Sequence, residues 1–257
     1  MNRSSERLNA LLSRHGICSR RAADELISTG RVTVDGLPAL TGQRILPGQE
    51  IEVDGKPLGR RPRRVYLAYH KPVGVICSNA SELPDNLASK VQCEERLFPV
   101  GRLDVQSSGL LLLTNDGEWA NQVLHPRYGH VREYLVRLKA PYEDALLQRL
   151  AHGITLEEGL LVPQEVRRTG SRTLVICLTQ GWNRVVRRTF TAVGAEIEAL
   201  KRTRIAHLLL GELVSGQWRN LTPAELAAFR PPEPRQDPRP SRGRPQQDRR
   251  PRRSPRR

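Results

Sequence analysis

The apolar residues of this chain come in short bursts, and their length limits what it can fold into. The stretches at 65–69, 110–114 and 174–178 are five residues each and lie between charged or turn-forming segments. Five residues is a strand's length, far below the roughly 20 apolar residues that a membrane-spanning helix needs. Residues 132–138 read as a fourth strand. Segments 142–150, 184–193 and 223–229 read as helices, the last opened by Thr222-Pro223, a capping residue followed by proline at the first helical position. Strands and helices do not alternate regularly enough for a doubly wound sheet. The expected class is therefore α+β, with a mixed, mainly antiparallel sheet.

The 257 residues divide by composition into three regions. The first, with its linker, is expected to span 1–62, the main domain 63–229 and a tail 230–257. In the first region Ser4 or Ser5 is expected to cap a helix with Leu8, Leu11 and Leu12 on its apolar face, closed by Gly16. Ser19 can cap a second, with Ala22, Ala23, Leu26 and Ile27 inward and Gly30 as its stop. Residues 31–34 then alternate like a strand into Asp35-Gly36, and 51–53 into Asp54-Gly55, both hairpin signals. The basic run at 59–64 reads as a linker. From 231 onward the chain has ten arginines, three acidic residues, eight prolines and nothing apolar, so it cannot bury a core and is expected to be disordered. It serves either as a solubilising tail or as a non-specific RNA-binding arm.

Net charge is +15 with a pI near 10.7, and only five of the 42 basic residues are lysine. Such a balance points to a polyanion, because neutralising phosphates releases counterions. An anionic membrane surface would answer the charge equally well, but no amphipathic anchor is visible. The N-terminus shows no apolar signal core. Cys18, Cys77, Cys93 and Cys177 are scattered, without a C-x-x-C pair, and read as reduced thiols of a cytoplasmic protein, supporting neither a metal site nor a disulfide framework.

Four clusters could carry function. Arg7, Arg14, Arg20, Arg21 and Arg31 surround the two N-terminal helices, with Arg20 and Arg21 in the first turn of the second, where backbone N–H groups also favour phosphate. Taken one at a time, each is more simply a solvated surface charge. The second cluster is Phe98-Pro99-Val100-Gly101-Arg102-Leu103-Asp104, followed by Ser107-Ser108-Gly109 and Leu110-Leu111-Leu112-Leu113-Thr114-Asn115-Asp116-Gly117. An aspartate in such a loop is usually a turn or cap residue. The third runs Gln180-Gly181-Trp182-Asn183-Arg184-Val185-Val186-Arg187-Arg188, where a helix would put Arg184, Arg187 and Arg188 on one basic face. The fourth is Arg132-Glu133-Tyr134, whose alternation puts Arg132 and Tyr134 on one side of a strand; such a tyrosine is ordinarily core.

The N-terminal text resembles an S4-type RNA-binding module. It matches at Arg7-Leu8-Asn9, Gly16-Ile17-Cys18-Ser19-Arg20-Arg21-Ala22-Ala23, Leu26-Ile27, Gly30-Arg31-Val32-Thr33-Val34-Asp35-Gly36 and Ile51-Glu52-Val53-Asp54-Gly55. Residues 1 to about 228 together resemble the pseudouridine synthases that join an S4 module to a catalytic domain and act on bacterial ribosomal RNA. Gly101-Arg102-Leu103-Asp104 with the downstream Gly-Leu-Leu-Leu-Leu-Thr-Asn-Asp-Gly run is the defining motif. His70-Lys71-Pro72-Val73-Gly74-Val75, Leu124-His125-Pro126 and Glu133-Tyr134-Leu135-Val136 also fit. Ser107 or Ser108 stands for the usual threonine, Arg132 for lysine, Val185 for glutamine and Gln180 for an acidic residue.

The resemblance implies Asp104 as the catalytic aspartate, Tyr134 as the aromatic residue packed on the target base and Arg187 as the basic partner of Asp104. Arg102, Arg184 and Arg188 join the five N-terminal arginines as expected RNA contacts. Isomerising uridine exchanges an N–C for a C–C glycosidic bond without oxidation or an imported group, so no cofactor and no metal is expected. The expected partner is 23S ribosomal RNA, with 16S as the alternative, and the expected state is a monomer away from membranes. The large-subunit preference comes from the resemblance, whose large-subunit members often carry basic C-terminal extensions. A non-catalytic ribosome assembly factor is the rival from another class, and the intact Asp104, Tyr134 and Arg187 argue against it.

Overall fold

The computed structural model describes residues 5–78 and 85–229; the basic tail and Ser4 lie outside them. The N-terminal part is built from β1 (Glu6–Arg7), α1 (Leu8–Arg14), α2 (Arg20–Ser28), β2 (Val32–Val34), β3 (Leu37–Pro38), β4 (Arg44–Ile45), β5 (Ile51–Val53) and β6 (Lys56–Pro57). Its core joins Leu8 and Leu12 of α1 to Ala23 and Ile27 of α2 and to Val32, Val34, Ile45 and Ile51 of the strands. Ser19 caps α2 as expected, accepting from the Ala22 N–H. Asp35 and Gly36 have φ of 52° and 77°, and Asp54 and Gly55 have 52° and 71°. Consecutive left-handed residues match the right-handed twist of the flanking strands, so both hairpins close where the sequence places them.

The expected cap of the first helix is corrected. Arg7 occupies that position with no side-chain hydrogen bond, because Glu6 and Arg7 pair as β1 with Ile45 and Arg44 of β4. A strand entering the helix leaves no room for a serine cap, and Ser5 instead accepts from the Arg44 guanidinium.

The main domain continues with β7 (Tyr66–Lys71), α3 (Leu87–Lys90), β8 (Phe98–Val100), β9 (Ser108–Thr114), α4 (Gly117–Leu124), β10 (Arg132–Leu138), α5 (Asp144–His152), β11 (Ile154–Leu156) and β12 (Gly159–Leu161). Then come β13 (Glu165–Arg168), β14 (Thr173–Leu178), α6 (Val185–Ala192), β15 (Ile197–Ile205), β16 (Leu208–Leu209), β17 (Trp218–Asn220) and α7 (Pro223–Ala227). Nine strands form one sheet in the order β13-β14-β10-β15-β9-β7-β17, with β8 also on β9 and β16 on β15. The β15–β9 pair is parallel and the other pairs are antiparallel. This is the expected α+β class.

The leucine run explains the layering. Alternation along β9 sends Leu111 and Leu113 into a core with α3, α5 and α6, and Leu110 and Leu112 into a second core with α4 and Phe229. A strand buried on both faces must be apolar throughout, which is why no polar residue interrupts Leu110 to Leu113. β10 covers the segment expected for it. The helix expected from Tyr142 begins at Asp144; Tyr142 instead bonds through its hydroxyl to the Thr173 carbonyl. β15, unforeseen from the sequence, lies between β10 and β9 near the sheet centre.

Gly109 shows why the parallel pairing needs a glycine. Its φ is 112°, and a Cβ there would lie 2.2 Å from the Arg202 carbonyl oxygen on β15. Backbone meets backbone at that point, so nothing can move aside.

Candidate active site

Asp104 sits in the loop between β8 and β9, and three contacts shape that loop. Leu103 is buried in the core, and its N–H points to the Cys77 sulfur at 3.4 Å. The Ser107 N–H donates to the Asp104 carbonyl at 3.0 Å, and the Gly74 N–H to that of Val105 at 2.8 Å. With Leu103 anchored inward, the Asp104 carboxylate remains about one-third exposed at 32%. Asp116 of the same motif has a different fate. It is buried, caps α4 through the Glu118 and Trp119 N–H groups, accepts from the Tyr66 hydroxyl and pairs with Arg64 at 3.1 Å. Asp116 is committed to structure, whereas Asp104 is open to a ligand.

Arg187 reaches the loop from the first turn of α6, after Arg184 has turned the chain through a left-handed residue at φ 48°. Its Nη2 donates to the Gln106 carbonyl at 2.9 Å and to the Ser107 hydroxyl at 3.2 Å. Its Nε lies 3.5 Å from Asp104 Oδ2, an ion pair without hydrogen-bond alignment. Burial pulls the Arg187 pKa down, and the Asp104 charge opposes that shift. Tyr134 on β10, just past a register irregularity at Glu133/Tyr134, is 8% exposed and lines the same pocket. Asp104, Tyr134 and Arg187 thus come together, although 83 residues separate the first from the last.

Two further cations are buried near Asp104 and Tyr134, where the sequence reading did not place them. Lys71, at the end of β7, is fully buried, and its Nζ donates to the Pro72 carbonyl at 2.8 Å. Burial lowers its pKa, while the nearby Cys77 and Asp104 raise it. Arg202 on β15 is 3% exposed, with Nε donating to the Leu110 carbonyl at 2.7 Å and Nη2 left without a partner. Arg132, on the Tyr134 side of β10 as expected, donates to the Thr179 carbonyl at 3.0 Å; burial lowers its pKa. Lys71 is legible in hindsight as one of only five lysines, closing an apolar strand; nothing in the sequence marks Arg202.

The outer groove beside Asp104 has a volume of about 660 Å³ and carries Arg102 and Arg184, both exposed, on its wall. The expected single basic face of α6 is corrected. Arg187 turns toward Asp104, while Arg188 pairs with Glu158 and donates to the Asn183 carbonyl at 2.8 Å. In the N-terminal part Arg7, Arg20 and Arg21 are exposed. Arg31 is exposed but holds Asp54 through two hydrogen bonds, of 2.7 and 2.6 Å. Arg14 departs from expectation: it is half-buried and ion-paired with Glu6, so its charge is neutralised within the fold. Among the described residues no helix is long and apolar enough to cross a membrane.

Comparison with known proteins identifies the family. Residues 65–192 match the RNA pseudouridylate synthase family model, and residues 6–51 match the S4 domain model. The ribosomal large subunit pseudouridine synthase B of Bacillus subtilis is 40% identical over 88% of this chain and 96% of its own length. The dual-specificity RNA pseudouridine synthase RluF of Shigella flexneri is 36% identical over 87% of this chain and 78% of its own. A crystal structure of a pseudouridylate synthase superposes with a TM-score of 0.61 at 28% identity, covering 87% of this chain and 99% of that one. With its catalytic-type pocket on the large sheet and an S4 domain ahead of it, the chain belongs to the RNA pseudouridylate synthase family.

Proposed function

We propose that the protein isomerises a uridine of large-subunit ribosomal RNA to pseudouridine, with Asp104 as the reacting carboxylate. The observation that carries this reading is the meeting, in one pocket, of a partly exposed carboxylate, an arginine 3.5 Å from it and a buried aromatic ring. The reaction breaks the bond from N1 to C1′ and joins C5 to C1′; the C5 hydrogen leaves to solvent as a proton and N1 takes up a proton, so the product is an isomer of uridine. Whether the carboxylate adds to C1′ or removes the C2′ proton, it must be anionic, and Arg187 with the buried Lys71 supplies the compensating field. The uridine must leave its stack to reach Asp104, and the Tyr134 ring gives it a surface to lie on. Arg187 bridges the ion pair to the Gln106 and Ser107 groups and so holds the Asp104 loop in register.

In this reading residues 1–62 form the RNA-docking module, 63–229 the catalytic domain and 230–257 an accessory basic arm. Arg7, Arg20 and Arg21 meet phosphates from the module; Arg102 and Arg184 meet them beside the pocket. The protein is read as a monomer that acts in the cytoplasm, where ribosomal RNA is matured. The choice of the large subunit is supported by the relative named for that activity. Mapping pseudouridines across both ribosomal RNAs, in cells with and without the gene, tests the proposal. Loss of a large-subunit site is expected. Loss confined to the small subunit would overturn the choice of RNA, and unchanged maps would overturn the activity.

A further inference from the structure

One aromatic side chain stands between the Tyr134 pocket and the outer groove, and the chemistry above leaves it unused. Trp182 lies in the loop joining β14 to α6, half-buried, with part of the indole packed on the core beneath the sheet. It lines both the tight pocket that holds Tyr134, about 60 Å³, and the groove of about 660 Å³ outside it. The groove falls within the roughly 300–1,000 Å³ of typical ligand sites and has space for more than the reacting base.

The groove wall around Trp182 carries the exposed guanidinium groups of Arg102 and Arg184. An indole flanked by two free cations suits single-stranded nucleic acid, in which aromatic rings stack on bases and cations meet the backbone. The loop is also held ready. The Val185 N–H donates to the Trp182 carbonyl at 3.3 Å, and Arg132 grips the Thr179 carbonyl at the loop's start. A loop held in advance costs little further entropy when a base settles on its aromatic ring.

We propose that Trp182 is a nucleobase-stacking residue that holds a nucleotide adjacent to the target uridine in the outer groove, while Tyr134 receives the target itself. The inference rests on the pseudouridine reading of the Asp104 pocket and extends it to recognition of the flanking sequence. A purely structural indole, completing the core, makes a different set of predictions.

The test compares the full chain with Trp182→Phe and Trp182→Leu on a synthetic large-subunit RNA fragment centred on the mapped uridine. The same fragment is also made with the base deleted at each flanking nucleotide in turn. Trp182→Leu should raise Kd and KM roughly 5- to 150-fold, the value of one base–aromatic stack, with kcat little changed. Trp182→Phe should recover most of that loss. Deleting one flanking base should weaken the unaltered protein by a similar factor and leave Trp182→Leu indifferent. Equal sensitivity of both proteins to every deletion, or a Phe variant no better than Leu, would overturn the stack. Failure of the unaltered protein to form pseudouridine in this fragment, with the Trp182-dependent binding intact, would instead overturn the pseudouridine reading.

Discussion

Replacing Arg187 by methionine separates a positioning role from a phosphate contact. Methionine keeps an unbranched apolar stem but removes the charge and the donors to the Gln106 carbonyl and the Ser107 hydroxyl. Two unit charges at the observed 3.5 Å attract by about 5 kcal/mol at an effective dielectric constant of about 20. Solvent reaches the carboxylate, which is 32% exposed, so screening and side-chain entropy reduce that to about 2–3 kcal/mol. If that interaction serves the transition state, kcat falls about 30- to 150-fold at about 1.4 kcal/mol per decade, with KM held nearly constant. The assay is release of tritium from RNA labelled at uridine C5, since that hydrogen is lost only when C5 bonds to C1′. Ser107→Ala is the control: it removes one neutral hydrogen-bond partner, costs about 1 kcal/mol, and should slow turnover less than tenfold. A variant that binds RNA more weakly but keeps its kcat would refute the pairing and reduce Arg187 to another phosphate contact.

Asp104→Asn preserves size and hydrogen bonding, so the protein should fold and bind RNA yet form no pseudouridine; substantial turnover by a folded variant would remove Asp104 from the chemistry. Gly109→Ala sets a Cβ against the Arg202 backbone at a positive φ, and overpacking with backbone strain should cost about 2–5 kcal/mol in urea denaturation. An unchanged midpoint would show that β15 can yield to a Cβ at this position. In salt titrations of RNA binding, Arg20→Ala and Arg21→Ala should each reduce the log–log slope by about 0.7–0.9, while Arg14→Ala, its charge spent on Glu6, should lower stability and leave the slope alone. A chain ending at Phe229 should show a shallower slope by several such units and modify the same nucleotide; a changed target would mean that the arm reads sequence.

Local chemistry was legible from the sequence wherever a few adjacent residues decide the conformation. The Asp-Gly pairs at 35–36 and 54–55 adopt left-handed turns because their side chains tolerate that region, and Ser19 and Thr222 cap helices because their oxygens reach the next free N–H groups. The five-residue apolar runs became buried strands for the same reason of length and pattern. The candidate site was legible at Asp104, Tyr134 and Arg187 through the resemblance, since no spacing rule connects residues so far apart.

What only the tertiary structure decided depends on partners distant in sequence. β15 contains Lys201, Arg202 and Arg204, a poor composition for a strand near the middle of a sheet. It is tolerated there because Arg204 pairs with Glu133 at 3.1 Å and Arg202 donates to the Leu110 carbonyl, bonds that exist only once the neighbouring strands are in place. The serine cap failed because β4, arriving some 37 residues later, recruits Glu6 and Arg7 as a strand. Arg187 and Arg188 are adjacent in the chain, yet one is drawn to Asp104 and the other to Glu158, since successive helical positions point about 100° apart and meet different neighbours. Burial of Lys71 beside the Asp104 loop likewise follows from the place of β7 next to β9, where the sheet excludes water around a charge that a single strand would have left solvated.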